Sequence, residues 1–238
     1  MIAVLLLGLL VGCPAEMLGV ELPKGGAESI SQEDLQRDVW ALVALGDRHP
    51  GRPAYDEGLA IIEQRLDQMK TLPAFGDGAT RPAGAGRNLC MQKDGRSGRA
   101  LVVAALDQDN GADRSASSIA ALISLAKAYD LPGKPEHTLV FCVWPEPDGL
   151  DAYLRAPAVP LEHTTAVLTL GPLSGSEELR PVETQISYGG GKLRHLHLQS
   201  SAEPYHGTPD DRMERLDFRV LLQRVQRLHQ AVENLMFR

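Results

Sequence analysis

Most familiar signatures of chemistry are missing from this chain of 238 residues. It has only three cysteines, Cys13, Cys90 and Cys142, with no Cys-x-x-Cys spacing. There is no Gly-x-Ser-x-Gly elbow, no Walker loop and no His-Glu-x-x-His helix. A basic excess is also lacking. Lys and Arg total 24 against 31 Asp and Glu, a net charge of −7, so no basic stripe exists to displace the counterions of a nucleic acid. The densest basic group, Arg212, Arg215, Arg219, Arg224 and Arg227, is interleaved with acids on a helical stretch and reads as a solvated face. Internal repeats and low-complexity tracts are absent. What remains is ordinary for a globular domain: 43% hydrophobic and 23% charged residues, enough chain for one sizeable core.

The N-terminus stands apart. Residues 1–12, MIAVLLLGLLVG, carry no charged side chain, and Cys13 follows at once. The run is too short to span a bilayer comfortably as a permanent helix. Leu10-Val11-Gly12-Cys13 resembles the bacterial lipobox, although the usual Lys or Arg before the apolar run is missing. That resemblance implies a signal peptide over 1–12 and an acylated Cys13 that holds the protein on a membrane, outside the cytoplasm. Residues 13–30, with three Gly and two Pro, then read as a tether, and residues 31–238 as the folded domain.

Within the domain, Ser31 followed by an acid three residues on is a helix start, and Leu35, Val39, Leu42 and Val43 follow at helical spacing. A second helix carries Leu59, Ile62, Leu66 and Met69, and residues 71–86 read as an exposed loop. Strands are predicted at 87–92, 99–105, 137–143 and 165–170. The last three are continuous apolar runs, as in strands covered on both faces. Helices are predicted near 115–129, 150–154 and 217–236. This alternation gives an α/β three-layer sandwich around a mixed, mostly parallel sheet. Residues 188–191, Tyr-Gly-Gly-Gly, form a turn. Cys90 and Cys142 fall inside strands, where buried free thiols are the default, and a disulfide stays open.

The order of parts in residues 101–150 resembles the di-zinc aminopeptidase family, which also contains glutaminyl cyclases and transferrin-receptor-type non-catalytic relatives. In that family the first strand ends in His-x-Asp, the turn reads Gly-Ala-x-Asp, and the second strand leads to Glu-Glu. Here those places hold Ala105-Leu106-Asp107, Gly111-Ala112-Asp113-Arg114 and Glu146-Pro147. The aspartate implied after the fourth strand is Gly171. The closing turn, Tyr205-His206-Gly207-Thr208-Pro209-Asp210-Asp211, resembles the family's His-Thr-Pro-x-Asp with Gly207 added. The resemblance therefore implies a truncated zinc-exopeptidase-like fold with a degenerate metal site.

In this alignment Glu146 falls on the general-base position. Asp107, Asp113, Arg114, Asp148 and His206 line a vestigial pocket, and no metal or other cofactor is expected. The retained acids have a plain alternative as helix caps and solvated strand ends. Arg114, at the place of the bridging carboxylate, is expected to point inward and pair with Glu146, Asp107 or Asp148. His195 and His197 alternate on a strand, a weak metal signal without a third ligand. The function expected is a lipid-anchored, non-catalytic binding or scaffold module with an unidentified protein or peptide partner and no nucleic acid. The alternative is a residual metallo-hydrolase with Glu146 as base, His206 as ligand and zinc as cofactor.

Overall fold

The computed structural model describes residues 26–108, 111–175, 178–201 and 203–237. Cys13 and the expected signal segment lie outside these residues. Ser29 and Ile30 are already buried, so the folded body takes in the end of the stretch read as tether.

Among the described residues, five α-helices and eight strands follow in order: α1 (Gln32–Val43), α2 (Pro53–Asp67), β1 (Leu72–Pro73), β2 (Thr80–Ala83), β3 (Gly86–Lys93), β4 (Ala100–Asp107), α3 (Ser117–Ala128), β5 (Thr138–Pro145), α4 (Gly149–Arg155), β6 (Thr164–Leu170), β7 (Arg180–Tyr188), β8 (Gly191–Gln199) and α5 (Phe218–Met236). The strands form one sheet in the order β1-β3-β5-β4-β6-β8-β7, with β2 paired to β3. β5, β4, β6 and β8 run parallel in the middle, and antiparallel β3 and β7 flank them. β4 is central and almost wholly buried, as its unbroken apolar run requires.

The two faces of the sheet are covered unequally. Leu101, Val103, Ala105, Phe141 and Leu168 point to the side packed by α1, α2, α3 and α5. Val102, Ala104, Cys142, Trp144 and Val167 point to the other side, beneath Tyr153 of the short helix α4. α3 is buried all round. Its small residues Ala120, Ala121, Ser117 and Ser118 let it lie close to the sheet, and the two Ser hydroxyls donate to Asp113 O at 2.6 Å and Ser115 O at 2.8 Å. A single π-helical turn, Ala112–Ala116, leads into it. Ser31 caps α1 by accepting the Asp34 N–H, and Asp217 caps α5 through Arg219 and Val220.

Two features differ from the sequence reading. Residues 71–86 are not all loop, because β1 and β2 add to the sheet edge and β2 turns into β3 through Gly84 at φ +56. Cys90 and Cys142, directly opposed on β3 and β5, are joined by a disulfide with Cα atoms 4.2 Å apart. The free-thiol default is therefore corrected. Strand register, which sequence spacing does not reveal, brings the two sulfurs together.

Candidate functional site

The C-terminal ends of the parallel strands meet at one edge of the sheet. β4 delivers Asp107, β5 leads to Glu146, β6 leads to Gly171, and β8 carries His197 and Gln199. The chain leaves β4 towards β5 on one side and returns on the other through β6. Such a reversal leaves a crevice outside the strand ends, the usual ligand position in open α/β sheets.

Asp113 forms the floor and is fully buried. Its Oδ1 accepts Ser174 N–H at 2.8 Å and, at 3.1 Å, shares with Asp113 O the single proton of the Ser117 hydroxyl. Its Oδ2 lies 2.9 Å from His206 Nε2. His206 Nδ1 accepts the Glu203 N–H at 3.2 Å, so the ring proton sits on Nε2 and is donated to Asp113. Both imidazole nitrogens are thereby committed. Asp211 closes the turn differently. Its two oxygens accept Asp113 N–H at 2.8 Å and Arg114 N–H at 3.2 Å, which caps the helical turn in front of α3. Burial raises the Asp211 pKa against those two amides.

The sequence reading placed Arg114 against an acid. Its Nε donates to Gln108 Oε1 at 3.0 Å, and Glu146 feels the guanidinium as a favourable charge. At Asp107 the facing guanidinium is that of Arg48, which is 2% exposed. Arg48 Nη2 stands 3.9 Å from the Asp107 carboxylate, and Ser115 donates its hydroxyl to the same oxygen. Arg48 also donates to Leu42 O at 2.7 Å, tying the end of α1 to the crevice. No motif pointed to Arg48, because it enters from a turn 59 residues before Asp107 in the sequence. Gly207, the extra residue of the closing turn, has φ +71, and a Cβ on it would lie 2.6 Å from Arg114 Nη1. The inserted glycine makes room for the guanidinium.

Glu146 stands at the rim. Partial burial pushes its carboxyl up from the usual range, opposed by His197, Arg114 and a hydrogen bond with Gln108. Asp148 is exposed and packs over Gly84, where any Cβ would clash with its carboxylate. His195 and His197 turn inward onto Thr169. Gln199 Oε1 can only accept, so His197 Nε2–H donates to it at 3.0 Å. Thr169 Oγ1 links the two rings, hydrogen-bonding His197 Nδ1 at 2.8 Å and His195 Nε2 at 2.9 Å, and Thr184 Oγ1 meets His195 Nδ1 at 3.2 Å. Burial and the neighbouring His197 hold the His195 pKa down, consistent with a neutral ring.

A co-catalytic zinc pair, as the resemblance implies, needs two ligands per ion and a carboxylate bridging both. The donor chemistry here does not fit. Ala105 is a buried methyl group, Arg114 is a cation, and Pro147 offers no side-chain donor. Gly171 has no side chain, and a Cβ there would press on Gln199 Cβ at 3.1 Å and His197 Cε1 at 3.3 Å. Among the described residues, no group of three or more His, Cys, Asp or Glu is arranged to hold a metal ion.

No protein-family model matches the chain, and neither does any curated protein. Solved structures do match. A Zn-dependent exopeptidase from Parabacteroides distasonis superposes with TM-score 0.67 at 14% identity, over 86% of this chain and 98% of its own. A leucine aminopeptidase precursor from Bacteroides thetaiotaomicron gives 0.68 at 14%, over 89% and 99%. A glutaminyl cyclase from the same organism, bound to N-acetylhistamine, gives 0.66 at 14%, over 86% and 98%. The fold is thus that of zinc exopeptidases and glutaminyl cyclases, and the chain spans almost the whole length of these neighbours.

Proposed function

We propose that this is a lipid-anchored protein of the bacterial envelope whose zinc-exopeptidase-like domain binds a protein or peptide partner without hydrolysing it. The observation that carries the reading is the occupancy of the ligand positions. Ala105, Arg114, Pro147 and Gly171 replace four of them, while the retained His206 spends both nitrogens on Asp113 and Glu203. Arg48 and Arg114 bring fixed positive charge to a place where two dications would have to sit. The Cys90–Cys142 disulfide supports residence in an oxidising compartment, as an exported lipoprotein requires.

The test is elemental analysis of the purified protein together with an assay on aminoacyl-p-nitroanilide substrates. The expected result is substoichiometric zinc and no chelator-sensitive hydrolysis. Two zinc ions per chain, or activity removed by chelator, would overturn the proposal. One observation favours a residual hydrolase, namely the raised pKa of Glu146, which suits a general base. In that case Glu146→Gln would abolish turnover.

A further inference from the structure

The crevice lies at the C-terminal edge of the sheet. At the opposite edge, one β4 length or about 26 Å away, a second feature has no role so far. The last turn of α5, the end of α3 and the loop before β5 enclose a groove of about 380 Å³. Its walls include Leu131, Pro132, Pro135, Met236 and Phe237, and its floor is Tyr129 stacked on His229 at 5.1 Å. Phe237 is 70% exposed and Leu131 38%, two of the five exposed large apolar side chains among the described residues. The rim cations already have partners, Arg96 with Glu136 at 2.8 Å and Lys134 with Asp94 at 3.9 Å. The apolar surface is therefore what the groove offers.

Gly26, the first described residue, also lines this groove. Cys13 lies thirteen Cα–Cα steps before it, a reach of at most about 45 Å fully extended and roughly 20 Å for a random-coil chain of that length. A domain of this size is about 40 Å across. If Cys13 is held in a bilayer, turning the domain over would lift Gly26 almost to the limit of that reach. The orientation that keeps Gly26 low also lays Leu131 and Phe237 on the membrane.

We propose that the face formed by Gly26, Leu131, Pro132, Pro135 and Phe237 rests on the apolar boundary of a lipid bilayer, so that the crevice with Asp113 and His206 faces away from the membrane. This rests on the lipid-anchor reading for its natural setting but can be tested apart from it. Contact is made by apolar side chains, so it is insensitive to salt and does not require anionic lipid.

Cys90 and Cys142 are bonded and buried, which leaves Cys13 as the one thiol for coupling the full chain to a maleimide-bearing lipid in phosphatidylcholine vesicles. Hydrogen–deuterium exchange of coupled and free protein is then compared. The expected result is at least about threefold slower exchange over residues 130–136 and 235–237, unchanged in 0.5 M salt by about that criterion, with residues 205–212 unaffected. Leu131→Asp with Phe237→Asp should remove that protection while core exchange stays the same. Protection at 205–212, or none at either place, overturns the proposal. Protection over 130–136 that appears in free protein on raising its concentration would assign the face to a second copy instead, and also overturns it. Mass analysis of the membrane fraction reads the anchor separately: soluble protein with Met1 intact refutes acylation and leaves the exchange result standing on its own.

Discussion

Glu146 and Gly207 show what single side chains contribute at this edge. Burial raises the Glu146 pKa in the folded protein, so ionisation there opposes folding. The effect is absent below the ordinary glutamate range, where folded and unfolded chains are both protonated. It grows as pH rises through the raised folded value and persists at neutral pH. Glu146→Gln should therefore raise the melting temperature at pH 7, with the gain fading as pH falls below the ordinary glutamate value. Solvent contact limits the gain to under about 1 kcal/mol, and a variant less stable at pH 7 would contradict it. At Gly207 the left-handed backbone makes Gly207→Ala cost about 1–2 kcal/mol, with crowding of Arg114 added. Combining it with Arg114→Ala should reveal a coupling of roughly 0.5 kcal/mol or more in a double-mutant cycle followed by urea unfolding. At this scale the sequence was legible in part. The closing turn and Asp113 stood out as a spacing, but the work of Asp211 as a cap and the approach of Arg48 depend on distant segments meeting.

Among the elements, β4, β5, β6, α3 and α5 could be read in advance because burial on a fixed period leaves a dense apolar pattern. β2 and β7 could not. Thr80–Ala83 is four residues with a proline, and Arg180–Tyr188 is an exposed edge strand with little alternation to detect. Sequence placed both strand cysteines but not the register that pairs them. That pairing closes a loop of 52 residues between β3 and β5. On chain-entropy grounds the Cys90→Ser, Cys142→Ser variant should lose about 4 kcal/mol of stability, read as a lower urea midpoint. A midpoint that does not move on reduction of the native protein would show that the sheet holds β3 without the bond.

For the molecule as a whole, the fold matches a Zn-dependent exopeptidase and a leucine aminopeptidase precursor over nearly their full length, while the C-terminal edge of the sheet is packed with its own hydrogen bonds. Installing metal-ligand side chains by Ala105→His, Arg114→Asp, Pro147→Glu and Gly171→Asp together should still give fewer than two zinc ions per chain by elemental analysis, and two bound ions would refute this. The reason is steric. A side chain at 171 meets Gln199 Cβ at 3.1 Å and His197 Cε1 at 3.3 Å. In mechanical terms the edge is a closed joint: at 171 and 207 the space that a larger side chain would need is already taken by Gln199, His197 and Arg114.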